Sequence, residues 1–295
     1  MNRKIFCIIP VHNGLPHVIE CIESIKKQRV DGHEVKIVIV DDGSTDSTAK
    51  VAQSKWSDID VLYGDGNLWW TGAISMGTDY AIKNKADYVF WLNHDDRLSD
   101  QSLRKLIEAY EPNSIQCCGV VYGKDNPRVL AGLKLNFFRW YVKPILYDRS
   151  NLESQTSCHR ISIDLNGAHG VLIPVGIFQS NCDLIRPRLF PHYCGDFDFY
   201  FQARRKGIRI YSVFGALSIN NPSTSGLTEG KRIQRISQIP NYLLSRRSMG
   251  NLRDRPLMAL LNFPPVLNLL WAGIFVLSSL YCCLFYFTRK NKVGL

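Results

Sequence analysis

Short continuous apolar runs alternate with stretches of helical period through the first half of the chain. Ile5–Ile9 reads as a buried strand, Val18, Ile19, Ile22 and Ile25 recur at helical spacing, and Val35–Val40 is a second apolar strand. Asp46 or Ser44 can cap a helix through Lys55. Ile59–Leu62 follows as a strand, Thr71–Asn84 as a helix, Tyr88–Leu92 as a strand, and a further helix is capped near Ser99. This alternation predicts an α/β domain with a mainly parallel sheet. Gly123–Arg160 breaks the rhythm with Pro127, Pro144 and many aromatics, and reads as an insertion or an edge hairpin. Ile161–Ile163, a turn at Gly167–Gly170, Val171–Ile173 and a helix-like Asp196–Lys206 restore it.

With 295 residues, 45% of them hydrophobic and 21% charged, the chain can bury a full core and is neither disordered nor a small disulfide scaffold. Its 36 lysines and arginines exceed its 26 acids, a formal charge of +10. The excess is not spread evenly. Residues 201–295 hold 14 basic and 2 acidic residues, a net +12, whereas residues 1–200 are close to neutral at −2. Inside that basic tail, Leu257–Phe287 carries no ionisable side chain apart from tyrosine and cysteine.

The later part, Pro265–Phe287, is long enough for a helical span of roughly 20 residues. Arg246, Arg247, Arg253 and Arg255 precede it, and Arg289, Lys290 and Lys292 follow it, where anionic headgroups would lie. A membrane surface is therefore expected as a partner and nucleic acid is not, since zinc spacings, helix-turn-helix patterns and aromatic RNA-binding signatures are missing. A single span would place the last basic residues on the far side, against the positive-inside tendency, which favours a re-entrant or interfacial anchor. The nine cysteines form no framework, and the apolar run after Met1–Lys4 ends at Pro10, too short for a secretory segment. A reducing cytoplasm fits both.

Candidate chemistry sits where strands end, because open α/β sheets bind ligands beyond the carboxyl ends of their strands. Asp41-Asp42-Gly43-Ser44 places two carboxylates after a buried strand. One can accept the imide N–H of uracil or thymine while its neighbour reaches ribose hydroxyls, although Asp-Gly is also ordinary turn chemistry. Asn93-His94-Asp95-Asp96 ends another apolar strand and offers hard oxygen ligands suited to Mg²⁺ or Mn²⁺, with His94 as a spacer.

Three motifs in this order, Cys7-Ile8-Ile9-Pro10-Val11-His12-Asn13-Gly14, Val40-Asp41-Asp42-Gly43-Ser44-Thr45-Asp46 and Leu92-Asn93-His94-Asp95-Asp96, resemble those of family 2 glycosyltransferases, inverting enzymes of the GT-A fold. The resemblance covers about residues 4–215. It implies that Pro10, Val11, His12, Asn13 and Asp41 or Asp42 hold the nucleoside. Asn93-His94-Asp95 then stands at the family's Asp-x-Asp motif with Asp95 as metal ligand, and Asn93 departs from the usual acid.

The segment Gly64–Ala73 resembles the version in bacterial rhamnosyltransferase-like members. There Gly66 and Asn67 would approach the nucleotide, and Trp69 and Trp70 would stack on a sugar face or pack in the core. Phe190–Phe199 resembles the acidic catalytic motif, with Asp196 as base and Gly195 in place of the more usual acid. Asn166–Gly170 falls at an acceptor-side turn, where His169 can touch the acceptor or simply pack. Many relatives carry a later metal-binding histidine; the comparable Leu217–Ser225 has none, leaving an asparagine oxygen, water, weaker metal binding or a metal-independent reaction.

These readings combine into an α/β, GT-A-type, Rossmann-like sheet flanked by helices, with a catalytic domain over residues 1–220, a basic linker over 221–256 and an apolar membrane-associated segment over 257–295. The expected function is inverting transfer from a UDP- or dTDP-sugar, with rhamnose as the leading sugar, to a hydroxyl of a lipid-linked or surface saccharide at the cytoplasmic face of the inner membrane. A degenerate nucleotide-sugar-binding subunit and a nucleotidyltransferase are the alternatives.

Overall fold

The computed structural model describes residues 3–122, 128–136, 141–149, 159–220, 236–248 and 250–290, without the side chains of residues 141 and 284–290. β1 (Arg3–Val11) and β2 (His33–Asp41) pair in parallel along their whole lengths, from Arg3 opposite His33 to Val11 opposite Asp41. β3 (Asp60–Tyr63) extends the sheet beside β2, and β4 (Tyr88–Leu92) lies parallel to β1 on its other side. The strand ends reach one edge together, which brings the loops after β1, β2, β3 and β4 to a common rim.

Helices cover both faces. α1 (His17–Lys26) buries Val18, Cys21, Ile22 and Ile25, the spacing of a single helical face, against Ile5, Cys7 and Ile9. α2 (Thr48–Lys55) and α4 (Ser102–Glu108) complete that layer through Ala52, Leu103 and Leu106. On the opposite face α3 (Trp69–Lys83) packs Ala73, Ile74 and Ala81 over Phe6, Ile8, Val38 and Val40. Trp91 of β4 lies fully inside this second layer, with its indole N–H donated to Thr78 Oγ1 at 3.2 Å and its ring against Phe199, 4.6 Å between centroids.

The remaining strands make the sheet mixed. Beyond β4 the order continues through β10 (His169–Pro174), β6 (Ser114–Tyr122), β11 (Arg209–Asn220) and β5 (Asp96–Leu98), with β10 antiparallel to both neighbours and β11 parallel to β6. β9 (Arg160–Ser162) pairs with β11, at the place where the sequence predicts order to resume. β7 (Arg128–Asn136) and β8 (Tyr141–Asp148) form an antiparallel hairpin hung from β6, so the irregular Gly123–Arg160 region is an edge hairpin in its described parts. Residues 123–127, 137–140 and 150–158 of that region lie outside the described residues.

β6, β11 and the short β5 are absent from the sequence-based expectation. β6 reads Ser-Ile-Gln-Cys-Cys-Gly-Val-Val-Tyr, with polar and small residues where branched aliphatics mark the other strands, yet Gln116, Cys117 and Cys118 are completely buried. β5 occupies the stretch just before the predicted Ser99 cap, so α4 begins only at Ser102. Asp46 does support α2, its carboxylate accepting the Thr48 N–H at 3.0 Å.

α5 (Val175–Ser180) and α6 (Gly195–Arg205) precede β11. Residues 221–235 of the predicted linker lie outside the described residues; α7 (Ile239–Leu244), α8 (Asp254–Asn262) and α9 (Leu267–Lys290) follow. α8 is docked on the sheet domain. Asn262 donates to buried Asp198 of α6 at 2.9 Å, Arg205 donates to the Leu261 carbonyl at 2.7 Å, and Arg253 to the Leu189 carbonyl at 3.1 Å. Among the described residues no helix is long and apolar enough to cross a membrane, so the single-span arrangement of Pro265–Phe287 is not found.

Candidate active site

An open cleft with about 700 Å³ of empty space lies at the rim, lined by Pro10, Val11 and His12 after β1, Asp42 after β2, Gly66, Trp69, Trp70 and Ala73 around the start of α3, and His94 after β4. His192 and Arg247 close it from the C-terminal side. Seven of the residues singled out in the sequence therefore meet at one cavity: Pro10, Val11, His12, Asp42, Gly66, Trp69 and Trp70. Asn13, Asp41, Asn67, Asn93, Asp95, His169 and Asp196 are not on its wall.

Several of these residues hold the loops in place. The Asp42 carboxylate accepts three backbone N–H groups, Gly66 at 2.8 Å and Leu68 at 3.2 Å on Oδ1 and Trp69 at 2.8 Å on Oδ2. It ties the β2 turn to the first turn of α3, where Gly66 and Trp69 both have positive φ, and its backbone carbonyl accepts from His12 Nδ1 at 2.7 Å. Asp41 accepts the Ser44 N–H at 2.8 Å within the turn. Asn13 accepts from the Thr45 N–H at 2.7 Å and donates its own N–H to Ser44 Oγ at 2.9 Å, bracing the β1 and β2 loops against each other. Asn67, exposed, donates its N–H to Asp65.

Asn93 accepts the indole N–H of Trp70 at 2.9 Å, and this fixes the Trp70 ring at the cleft wall. Burial lowers the pKa of His94, whose ring lines the cleft. Trp69 faces the C-terminal side. Its ring lies 5.7 Å from that of His192, and the guanidinium carbons of Arg246 and Arg247 stand 5.9 and 5.5 Å from its centroid. Burial, helped by Arg247, pushes the His192 imidazole down to about 4.

Beside the cleft is an acid–imidazole cluster. His169 Nδ1 donates to fully buried Asp96, 2.8 Å to Oδ2 and 3.1 Å to Oδ1. Asn220 Nδ2 donates to Asp96 at 2.8 Å and, at 3.4 Å, to Asp95. Asn220 therefore turns its amide N–H groups, not its oxygen, toward these acids. Burial alone would lower His169, but the carboxylates of Asp96, Asp95 and Asp196 outweigh it and lift the imidazole to about 9. Burial also raises the carboxyl pKa of Asp96, against the pull of His169.

Asp196 stands in the first turn of α6. Oδ1 accepts the Phe197 N–H at 2.8 Å, and Oδ2 points toward Gly167, next to the His169 ring. Burial pushes its pKa up to about 6, although its backbone partner and His169 pull the other way. A carboxyl group poised near neutrality is suited to taking a proton. Gly195 just before it has a steric cause: a Cβ there would fall 2.0 Å from Thr71 Oγ1 and 3.1 Å from the Phe190 carbonyl oxygen. Asp198, two residues on, serves packing, since it is buried and held by Arg186 and Asn262.

The pattern reading missed Asp96, Asn220, His192, Thr71 and Arg247 as site residues. Asp96 was visible as the fourth residue of Asn93-His94-Asp95-Asp96, and its absolute burial separates it from Asp95. Arg247 reaches the site from a distant sequence position and left no local signal, whereas Asn220 lies in the Leu217–Ser225 stretch compared with the later histidine of relatives.

The fold is similar to that of several solved structures. A structure described as GalNAc-T7 with UDP, GalNAc and Mn²⁺ superposes with a TM-score of 0.58 at 12% identity, covering 77% of this chain and 45% of that one. Staphylococcus aureus TarS residues 1–349 in complex with UDP-GlcNAc gives 0.56 at 14%, covering 89% and 67%. In sequence the chain is 37% identical over 228 residues to an uncharacterized glycosyltransferase of Rickettsia typhi, 70% of this chain and 59% of that protein. It thus spans less than two thirds of that relative's length. The model of Glycosyl transferase family 2 matches residues 6–163, more than half of the chain, and this protein belongs to that family.

Proposed function

We propose that this chain transfers a sugar from a UDP- or dTDP-linked donor to a hydroxyl group of a lipid-linked or surface-polysaccharide acceptor, with Asp196 as the base. The observation that carries the reading is Asp196, whose pKa lies near 6 and whose Oδ2 faces the turn beside His169. An acceptor hydroxyl is a poor nucleophile until its proton is removed during attack, and a positioned carboxylate supplies that removal. Attack opposite the departing nucleotide inverts the anomeric centre. The nucleoside lies against Pro10–His12 and the loop that Asp42 organises. Trp69 and Trp70 offer ring faces to the sugar, and rhamnose is the leading donor sugar on the resemblance of Gly64–Ala73.

Mg²⁺ or Mn²⁺ is the proposed cofactor. Among the described residues no group of three His, Cys, Asp or Glu side chains can hold a metal by itself. The Asn93 oxygen is engaged with Trp70, and Asp96 with His169 and Asn220. Asp95, at the position the family motif gives to a metal ligand, would supply the protein carboxylate to a hard cation, with donor diphosphate oxygens and water completing the shell. Bound there, the ion would stabilise charge developing on the leaving diphosphate. The GalNAc-T7 complex with Mn²⁺ and the TarS complex with UDP-GlcNAc support a metal and a uridine donor.

The basic, apolar tail motivates a lipid-linked acceptor and placement at the cytoplasmic face of the inner membrane. The test is a panel of sugar nucleotides with purified protein, following nucleotide release with and without Mg²⁺ or Mn²⁺. Release of UDP or dTDP from one donor supports the reading. Release of none across a broad donor and acceptor panel favours a binding subunit instead.

A further inference from the structure

α9 presents two faces of different character. Its inner face buries Ala272, Ser279 and Cys283, and Trp271 and Phe275 pack against Phe263 at the end of α8, with centroids 5.8 and 6.3 Å from the Phe263 ring. Its outer face is a stripe at helical spacing: Leu269, Leu270, Leu277, Leu280 and Tyr281, exposed by 70, 45, 66, 39 and 61%, with Val266 leading into it. From Leu269 to Tyr281 the stripe runs about 18 Å along the helix at 1.5 Å per residue. A helix covering a soluble domain carries polar residues on its outer face; from Leu257 to Phe287 this sequence has no acid or base at all. A continuous apolar surface of this kind marks an interaction site.

We propose that this outer face of α9 lies in the headgroup–acyl boundary of an anionic lipid bilayer, parallel to the membrane plane. Charge selects the occupant. Arg253 is exposed at the start of α8, Arg255 lies over the Phe275 ring of α9 at 4.4 Å, and α9 ends in sequence on Arg289 and Lys290. Asp254, the one acid between residues 236 and 290, is buried and bonded to Asn251 and Arg253. An apolar band with cations at its border and no exposed acid complements anionic lipid. The inner face of α9, packed on α8, is not available to lipid, which distinguishes a helix lying on the surface from one crossing it. Tyr281, half apolar and half polar, suits the boundary.

The inference deepens the membrane placement proposed above and rests on the surface of α9 alone, so it is tested without turnover. Full-length protein is sedimented with sucrose-loaded vesicles of phosphatidylcholine, alone or mixed with phosphatidylglycerol. Binding to the mixed vesicles is expected, with a loss of about tenfold or more in the Leu269→Glu, Leu277→Glu double variant, because two anchors become charges beside anionic lipid. The milder Leu269→Ser, Leu277→Ser pair covers the case in which the glutamates disturb folding, with near-ultraviolet circular dichroism reporting the fold. Absence of wild-type binding at low salt overturns the proposal, as does equal binding by both folded variants. Resistance to carbonate extraction overturns the parallel orientation. A concentration-dependent dimer that both variants abolish, without vesicle binding, assigns the stripe to a second copy. Nucleotide release in the same preparations reports the transferase reading separately.

Discussion

The indole N–H of Trp70 donates to the side-chain oxygen of Asn93 at 2.9 Å, so the residue at the first position of the Asn93-His94-Asp95 segment serves the cleft wall. An aspartate in its place keeps an oxygen for Trp70 and adds a second carboxylate near Asp95. Asn93→Asp is therefore expected to lower the Mn²⁺ concentration for half-maximal nucleotide release several-fold, read from metal titrations at fixed donor. Unchanged metal dependence would argue against a cation at Asp95.

Asp42 predicts a different split. Its carboxylate gathers the N–H groups of Gly66, Leu68 and Trp69, so Asp42→Ala leaves three donors without their acceptor and costs about 1–3 kcal/mol, measurable by urea denaturation. The displaced loop carries cleft residues, not the base. A rise in KM for the donor larger than the fall in kcat is expected.

His169 and Asp96 make stability depend on pH. The imidazole is held at about 9 in the folded chain against 6.5 as its ordinary value, so its contribution is complete below 6.5 and is lost as pH rises through 9. His169→Gln removes that dependence and leaves Asp96 buried without its cation, at a cost of about 2–4 kcal/mol near neutrality. Melting temperatures of the two proteins from pH 6 to 10 should converge toward the alkaline end. Parallel curves would refute the pairing.

Gly195 tests the steric account of its departure from the family pattern. A methyl group there meets Thr71 Oγ1 and the Phe190 carbonyl, so Gly195→Ala is expected to destabilise by about 1–3 kcal/mol and to displace the start of α6. In a Thr71→Ala background the added cost should fall. Equal costs in both backgrounds would show that Thr71 is not the obstacle.

The parallel half of the sheet was legible because β4 and the inner stretches of β1 and β2, Ile5–Ile9 and Ile37–Val40, are buried on both faces and read as unbroken apolar runs. The rim was legible for the same reason: the polar turns after those runs are the loops that line the cleft. β6 was not, because its burial rests on cysteines, a glutamine and a glycine that carry no strand signature. The site divides similarly. Type and spacing led to the acids, but they do not tell that Asp42 is spent on three backbone N–H groups, or that His169 finds its partner in Asp96, 73 residues away. The tail's apolar run was read as a candidate span by length. Its two faces, one packed on α8 and one open, exist only once the domain is folded.

The account stands on Asp196. Raised to about 6 from an ordinary 3.8, this carboxylate is held at a cost to stability above pH 6, so Asp196→Asn should raise the unfolding free energy near neutrality by about 1–3 kcal/mol. The most direct measurement is transfer and donor binding by Asp196→Asn beside the wild type, with the active donor of the panel, across pH 5 to 8. The account predicts that the variant binds donor normally and loses transfer by at least about a hundredfold, while wild-type kcat/KM rises with pH and levels off above about 6. Undiminished transfer by the variant, with the same pH profile, would contradict it.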